Sequence, residues 1–367
     1  MSTGSNARLV VDLEALTSNY ACLQRVTGAR VGAVVKADAY GLGLPAVSGA
    51  LRRSGCELYF TALASEGAAL RSILPDVDIF VFSPLIKKDI ELLLANDLLP
   101  CLYAFDEIRQ FITRSKAAGK NPRAALHVET GINRLGLDRE GLDAFRSDGL
   151  GGELQIELLM SHLACADEPD SPLNRRQLER FVAIKNLFPG VPASLANSAG
   201  TFLGTDYHFD VVRPGIALFG HDPHSPIRTP RVEPVATLKA FLGQVKTVPA
   251  GESVGYGATA SCDAATRVGT VLAGYADGIP RNLADNHDGR MSMVSIAGRR
   301  VPLFGRVSMD LTTVDLSGLG ADEPRPGEAV EFFGRNLPIE EIASAAGTIP
   351  YELLTRTGAR VTRSYES

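Results

Sequence analysis

A chain of 367 residues with 45% hydrophobic and 22% charged residues, 36 glycines and 21 prolines has room for two globular domains and excludes disordered and collagen-like architectures. Its 37 basic and 42 acidic residues give a net charge of −5 with no long block of either sign, which argues against a nucleic-acid partner, because phosphate backbones need a basic face. No apolar stretch reaches the roughly 18 residues of a membrane span, and the polar start Met1-Ser2-Thr3-Gly4-Ser5 lacks the pattern of a signal peptide, so a cytoplasmic protein without membrane contact is expected.

The apolar, β-rich runs at residues 31–35, 58–63, 77–82, 98–103, 124–128, 154–160, 193–196 and 211–219 predict eight strands. Amphipathic segments at 44–54, 87–96, 105–118 and 173–187 predict helices between them. Continuous apolar strands separated by helices imply a parallel sheet with covered faces, and eight of them point to a closed (β/α)8 TIM-like barrel; an open doubly wound sheet is the competing arrangement. After Gly220 a Pro-rich polar stretch, residues 221–230, changes the pattern. Strand-like runs at 238–248, 268–273, 291–296, 311–314 and 329–333, broken by Gly-rich turns with almost no helix, predict a mostly β domain. The expected fold class is therefore α/β plus all-β, with a barrel over residues 1–228 and a β-rich domain over 229–367, the first few residues being able to pack with the latter.

In such a barrel, chemistry sits where strands end at the carboxyl-terminal face. Lys36, in Val34-Val35-Lys36-Ala37-Asp38-Ala39-Tyr40-Gly41, closes an apolar run where desolvation lowers an amine's basicity and frees it for Schiff-base or proton-transfer chemistry. A snorkelling lysine, or one paired with Asp38, is the plainer alternative. Gly41-Leu42-Gly43-Leu44-Pro45-Ala46 matches a dinucleotide fingerprint literally, but its glycines come too late after the strand and no ribose-binding acid follows, so it reads as a loop entering a helix. Arg134, in the Gly-flanked loop 129–136, is placed to hold a carboxylate or to make a surface salt bridge. His162 ends the sixth strand as a hydrogen-bonded structural residue or an orienting neighbour. Asn197-Ser198-Ala199-Gly200 and Arg213-Pro214-Gly215-Ile216 follow the seventh and eighth strands, where small residues and exposed amides suit a phosphate monoester. Tyr256, Tyr275 and Tyr351 sit in Gly- or Pro-marked turns, which in most proteins cap a core. The odd count of five scattered cysteines, without Cys-x-x-Cys, and six histidines without ligand spacing give no sign of a disulfide framework or a metal site.

Together and in this order the Val-Val-Lys-Ala-Asp-Ala-Tyr-Gly, Asn-Ser-Ala-Gly, Val-Arg-Pro-Gly-Ile and Val-Gly-Tyr-Gly motifs resemble the bacterial alanine racemases, pyridoxal-phosphate enzymes of fold type III, over essentially the whole chain. The resemblance implies that Lys36 holds the cofactor aldehyde. It assigns the phosphate to Tyr40, Ser198, Tyr351 and the backbone at Gly215 and Ile216, and the pyridine nitrogen to Arg213, with His162 behind it. It makes Lys36 and Tyr256 two bases on opposite faces of L- or D-alanine, the tyrosine coming from the other subunit of a homodimer with shared active sites. Arg134 and the backbone at Met309 would hold the substrate carboxylate and the ring's phenolic oxygen. Tyr275 and Tyr351 would form the inner gate of an access channel, with Asp167, Arg281, Arg306 and Ile349 further out. Related decarboxylases share the architecture but use a partner-chain cysteine and a longer Gly-rich phosphate loop, neither of which can be placed here. A non-catalytic pyridoxal-phosphate carrier needs only the barrel and leaves the residues after the linker unexplained.

One departure stands out. Where many family members carry a lysine, often carbamylated, that buttresses the arginine, this chain has His127. A neutral histidine does not supply a carbamate's charge, so turnover is expected to be independent of added bicarbonate; rescue by bicarbonate in a racemisation assay overturns that expectation.

Overall fold

Apolar runs with no polar face are stable only inside a sheet covered on both sides. The computed structural model, which describes residues 6–224, 232–285, 291–320 and 323–366, places them there. The expected domain boundary at 228/229 lies outside the described residues. By its contacts the chain divides into two compact units, one of Leu16–Ala39 and Leu44–Glu233, the other of Met1–Ala15, Tyr40–Gly43 and Pro234–Ser367.

In the first unit Ala33–Val34, Leu58–Thr61, Asp78–Val81, Leu99–Leu102, Arg123–His127, Gln155–Met160 and Ala193–Ser194 pair in sequence order, all parallel. Arg30–Val31 continues the first strand on the other side of Gly32 and pairs in parallel with Val211–Val212. The backbone N–H of Gly32 donates to the Val212 carbonyl at 2.9 Å, that of Arg213 to the Ala196 carbonyl at 2.9 Å, and Asn197 bridges to Arg213. These links close the sheet into an eight-stranded barrel. Helices alternate with the strands; in Phe105–Ala117 the residues Ile108, Phe111 and Ile112 fall on one face and are buried. The last expected strand, 211–219, is shorter than its apolar run, ending at Val212. Pro214 has no N–H to donate, and the chain then winds into turns in which Leu218 N–H donates to Gly215 and Phe219 N–H to Ile216.

The second unit is built on one long strand, Ala236–Val248, which pairs antiparallel with Ala7–Asp12, Ala329–Phe333 and Thr266–Val271. Ala7–Asp12 also pairs in parallel with Thr362–Glu366, Met293–Ile296 joins Arg299–Pro302 and Ala329–Phe333, and Thr266–Val271 joins Thr312–Asp315. A small hairpin, Ser253–Val254 with Ala260–Ser261, packs Val254 into a cluster with Val248, Cys262, Val268 and Phe304. Among its described residues the unit contains the short α-helices Ile339–Ala345 and Pro350–Thr355, where almost none is expected from the sequence. No helix among the described residues is long and apolar enough to cross a membrane.

Phe60 is fully buried, stacked between Phe80 at 5.2 Å and Phe82 at 5.3 Å, and its ring occupies the space that a side chain at Gly32 would need. Phe60→Ala is expected to cost about 3–5 kcal/mol, read as a lower denaturation midpoint at unchanged m-value.

Candidate active site

Buried Val34 and Val35 carry the chain to Lys36, and the backbone then turns left-handed: Ala37, Asp38, Ala39 and Tyr40 have φ of 54°, 56°, 53° and 57°. For L-residues this costs about 1–2 kcal/mol each. Local hydrogen bonds hold it. Ala39 N–H donates to the Val35 carbonyl at 2.9 Å, Ala37 N–H to Glu66 Oε1 at 2.8 Å, and Asp38 Oδ1 accepts Leu44 N–H at 2.7 Å. The Asp38 carboxylate thus caps the helix Leu44–Arg53 instead of pairing with Lys36, which makes no ion pair among the described residues. Glu66 Oε2 also accepts Ala62 N–H at 2.8 Å, so one carboxylate both caps its own helix and anchors the backbone beside the lysine.

Lys36 is partly buried, with Nζ 5.9 Å from the centre of the Phe82 ring. Burial first, then the charge of Arg134, lowers its basicity below that of an ordinary lysine, while Glu66 opposes the shift. Burial and the cations Arg213 and Arg134 push His127 down to about 3, and the same causes in the same order hold His162 well below its ordinary value. His127 packs its ring 5.0 Å from that of Tyr103 and leaves Nδ1 buried without a partner. Arg213 is buried, donating to Ser194 Oγ and to the Ser161 carbonyl at 2.5 Å; burial lowers it to about 10, still cationic at neutral pH. It makes no ion pair among the described residues, so its guanidinium is a buried donor suited to a ligand acceptor. Ser198 Oγ accepts the N–H groups of Gly215 at 2.9 Å and Ala217 at 3.3 Å, which ties the loops after the seventh and eighth strands together.

The loop bearing Arg134 is closed at its base by Glu129 N–H to Leu137 at 2.9 Å and Leu137 N–H to His127 at 2.8 Å. Arg134 itself is exposed and makes no ion pair among the described residues, so the alternative of a surface salt bridge is not realised. Gln177, on the helix Pro172–Lys185, is fully buried and joins two of the site's loops. Its Oε1 accepts Ala164 N–H at 2.9 Å, and its Nε2 donates to the His162 carbonyl at 2.9 Å and to Thr130 Oγ1 at 3.2 Å. Thr130 Oγ1 in turn lies 2.7 Å from Ser161 Oγ. Sequence reasoning overlooks Glu66 and Gln177 because each acts from a helix on backbone groups distant in sequence; the capping position of Glu66 beside Leu63 is the one signal that could have found it.

The barrel unit therefore brings Arg213, Arg134 and Lys36 within electrostatic reach of His162, Arg134 within reach of Lys36, and Ser198 onto Gly215, next to Ile216; Asp167 is exposed on the loop after the sixth strand. The β-rich unit holds the rest. Tyr40 and Tyr351 face each other with ring centres 6.2 Å apart, Tyr351 lying in the first turn of Pro350–Thr355 rather than in a loop. Tyr256 stands 71% exposed at the tip of the small hairpin, and Ile349, Tyr275, Met309 and Arg281 are exposed as well. Arg306 is half-buried, its guanidinium beside Gly257.

A parallel barrel that carries an amine of lowered basicity at its carboxyl-terminal rim, followed by a β-rich unit, is the plan of the barrel-type racemases and decarboxylases. The chain belongs to the alanine racemase family. The family model for the alanine racemase N-terminal domain matches residues 11–223 and that for the C-terminal domain residues 235–365. The chain is 42% identical over 369 residues to an alanine racemase of Rhizobium meliloti, covering 98% of this chain and 97% of the relative. It is 42% identical to a biosynthetic alanine racemase of Agrobacterium fabrum (98% and 93% covered) and 40% identical to a catabolic one from the same organism (99% and 92%). Among solved structures it resembles alanine racemase from Bartonella henselae with covalently bound pyridoxal phosphate, at a TM-score of 0.92 and 33% identity over 99% of this chain and 100% of that one. The biosynthetic enzyme of Pseudomonas aeruginosa aligns at 0.89 and 36% identity, with 98% and 99% covered.

His127 gives a pH signature. Unfolded histidine titrates near 6.5 and the folded group at about 3, so between these values the unfolded state holds the extra proton and stability falls as the pH drops. The contribution has a slope of about 1.4 kcal/mol per pH unit. His127→Asn is expected to flatten the acid limb of the stability profile by that amount in chemical unfolding between pH 4 and 7; parallel profiles rule the assignment out.

Proposed function

We propose that this chain is a pyridoxal-phosphate-dependent racemase that interconverts L-alanine and D-alanine by two bases, supplying D-alanine for peptidoglycan, in the cytoplasm, as a homodimer with shared active sites. The observation that carries the reading is Lys36: a partly buried amine at the barrel rim, its basicity lowered by burial and by Arg134.

The residues fit the cofactor. Lys36 offers the amine that a bound aldehyde needs, and Arg213 is a buried donor without a carboxylate partner among the described residues. Ser198, Tyr40, Tyr351 and the backbone at Gly215 and Ile216 would hold the phosphate. When bound, the cofactor withdraws electrons from the substrate's α-carbon and so acidifies its proton. Arg213 would donate a hydrogen bond to the ring nitrogen and keep its own proton, while His162, held neutral, would stand behind it without adding charge. Arg134 and the Met309 backbone orient the substrate carboxylate.

Lys36 Nζ takes the α-proton from the D-alanine face or returns one there, and Tyr256 of the partner subunit does the same through Oη on the L-alanine face. The exposure of Tyr256 at a hairpin tip supports its reaching another copy. In this division of labour residues 1–228 supply most of the cofactor's contacts, and 229–367 supply Tyr351, the second base and the gate. Tyr275 and Tyr351 narrow the approach to a methyl side chain, and Asp167, Arg281, Arg306 and Ile349 line the outer channel.

Incubation of the cofactor-loaded protein with L-alanine is expected to abolish optical rotation. Unchanged rotation sinks the racemase, and release of carbon dioxide instead identifies a decarboxylase. Tyr256→Phe should lower the rate of L-alanine turnover by about 10²–10⁴ while cofactor absorbance is retained; turnover at the wild-type rate in both directions disproves the two-base scheme.

A further inference from the structure

Within the β-rich unit, three segments that carry proposed substrate contacts meet at one side chain that no site assignment uses. The turn 274–278 carries Tyr275, the loop 306–311 carries Met309, and the segment 356–361 follows directly on the helix Pro350–Thr355 that carries Tyr351. Arg360 lies in the third. Its Nε and Nη2 fork onto the carboxylate of Asp277 at 2.7 and 2.9 Å, and its Nη1 reaches Asp310 Oδ1 at 2.8 Å. The Asp277 side chain is only 6% exposed. Asp277 Oδ2 accepts Gly274 N–H at 2.9 Å, and the Asp277 carbonyl accepts Gly358 N–H at 3.2 Å. The turn and the loop are also laced directly, Tyr275 N–H donating to Ser308 and Ala276 N–H to Met309, both at 3.0 Å. They approach so closely that a Cβ on Gly274 would sit 2.2 Å from the Ser308 carbonyl oxygen. A planar fork satisfies two acceptors in fixed geometry and leaves a third N–H for Asp310, which a lysine ammonium does not reproduce.

We infer that Arg360 is a positioning residue that sets the size limit of the substrate: by bridging Asp277 and Asp310 it fixes the separation between the Tyr275 gate and the Met309 backbone. The inference rests on the racemase reading. It names a determinant of selectivity that touches no substrate and acts only through the two carboxylates that it holds.

The test compares wild type, Arg360→Gln, Arg360→Lys and Asp310→Asn as loaded enzymes, with alanine and with 2-aminobutyrate, whose side chain is one methylene longer. Arg360→Gln is expected to raise the KM for alanine severalfold with kcat within about threefold, and to reduce the preference for alanine over 2-aminobutyrate about tenfold, the order of discrimination one methylene provides. Arg360→Lys should recover part of that preference. Asp310→Asn, a change at an exposed side chain, should shift it in the same direction and keeps the test open if the glutamine variant fails to fold. Amide hydrogen exchange at Tyr275 and Ala276 should quicken in the glutamine variant. An unchanged preference, or an equal loss on both substrates with unchanged exchange, overturns the inference while leaving the racemase intact. A wild-type protein that racemises neither amino acid overturns the reading beneath it.

Discussion

Positive charge gathered in an apolar barrel mouth, with Lys36, Arg134 and Arg213 making no ion pair among the described residues, is the constraint on which the rest of the site depends. Arg134 lies within electrostatic reach of Lys36, Arg213 and Arg134 of His127, and all three cations of His162. Each cation added to such a space lowers the basicity of the others. The outcome is a division of states: Arg213 stays charged, the histidines stay neutral, and Lys36 is drawn toward its free amine. Glu66 limits the effect on Lys36 without neutralising it, because its carboxylate is already engaged by backbone N–H groups. Under the proposed function, a ligand that brings a phosphate and a carboxylate would supply negative charge, so that binding and the electrostatic design are the same problem.

The backbone answers a matching demand for precision. Four successive left-handed residues after Lys36 are an expensive way to turn a chain, and the cost is met by backbone N–H groups donating to Glu66, Asp38 and Val35 rather than by glycine. Stiff alanines in that conformation leave the lysine little freedom to wander. The same economy recurs at Ser198, where one hydroxyl joins two loops, and at Gln177, where one amide ties the loop of His162 to that of Arg134.

The eight barrel strands are legible in the sequence because burial leaves each with a mostly apolar run, broken by few polar residues such as Asp78, Gln155 and Glu157. Lys36 is legible for the converse reason, a charge where such a run ends. The eighth strand is overextended on that logic, since residues 213–219 are as apolar as a strand yet lie buried in turns behind Pro214. The alternative that pairs Lys36 with Asp38 is not realised, because the Asp38 carboxylate, near along the chain, serves as a helix cap. Gln177 and Arg360 are silent in sequence, and Glu66 shows only its capping position: what they do is set by partners up to 83 residues away, and neither spacing nor periodicity encodes such a contact.

The strand Ala7–Asp12 has a consequence in time. It is made before the barrel, yet its neighbours in the sheet are Ala236–Val248 and Thr362–Glu366, which follow the barrel. On the ribosome it must wait unpaired while the whole barrel emerges, and its sheet is completed only when the last strand leaves the exit tunnel. The barrel has no such debt, since each of its strands finds its neighbour within a few dozen residues until the eighth returns to the first. Synthesis therefore favours a finished barrel before the β-rich unit can assemble, and a waiting apolar strand, with its edges open, is the point in the chain's biogenesis most exposed to wrong partners.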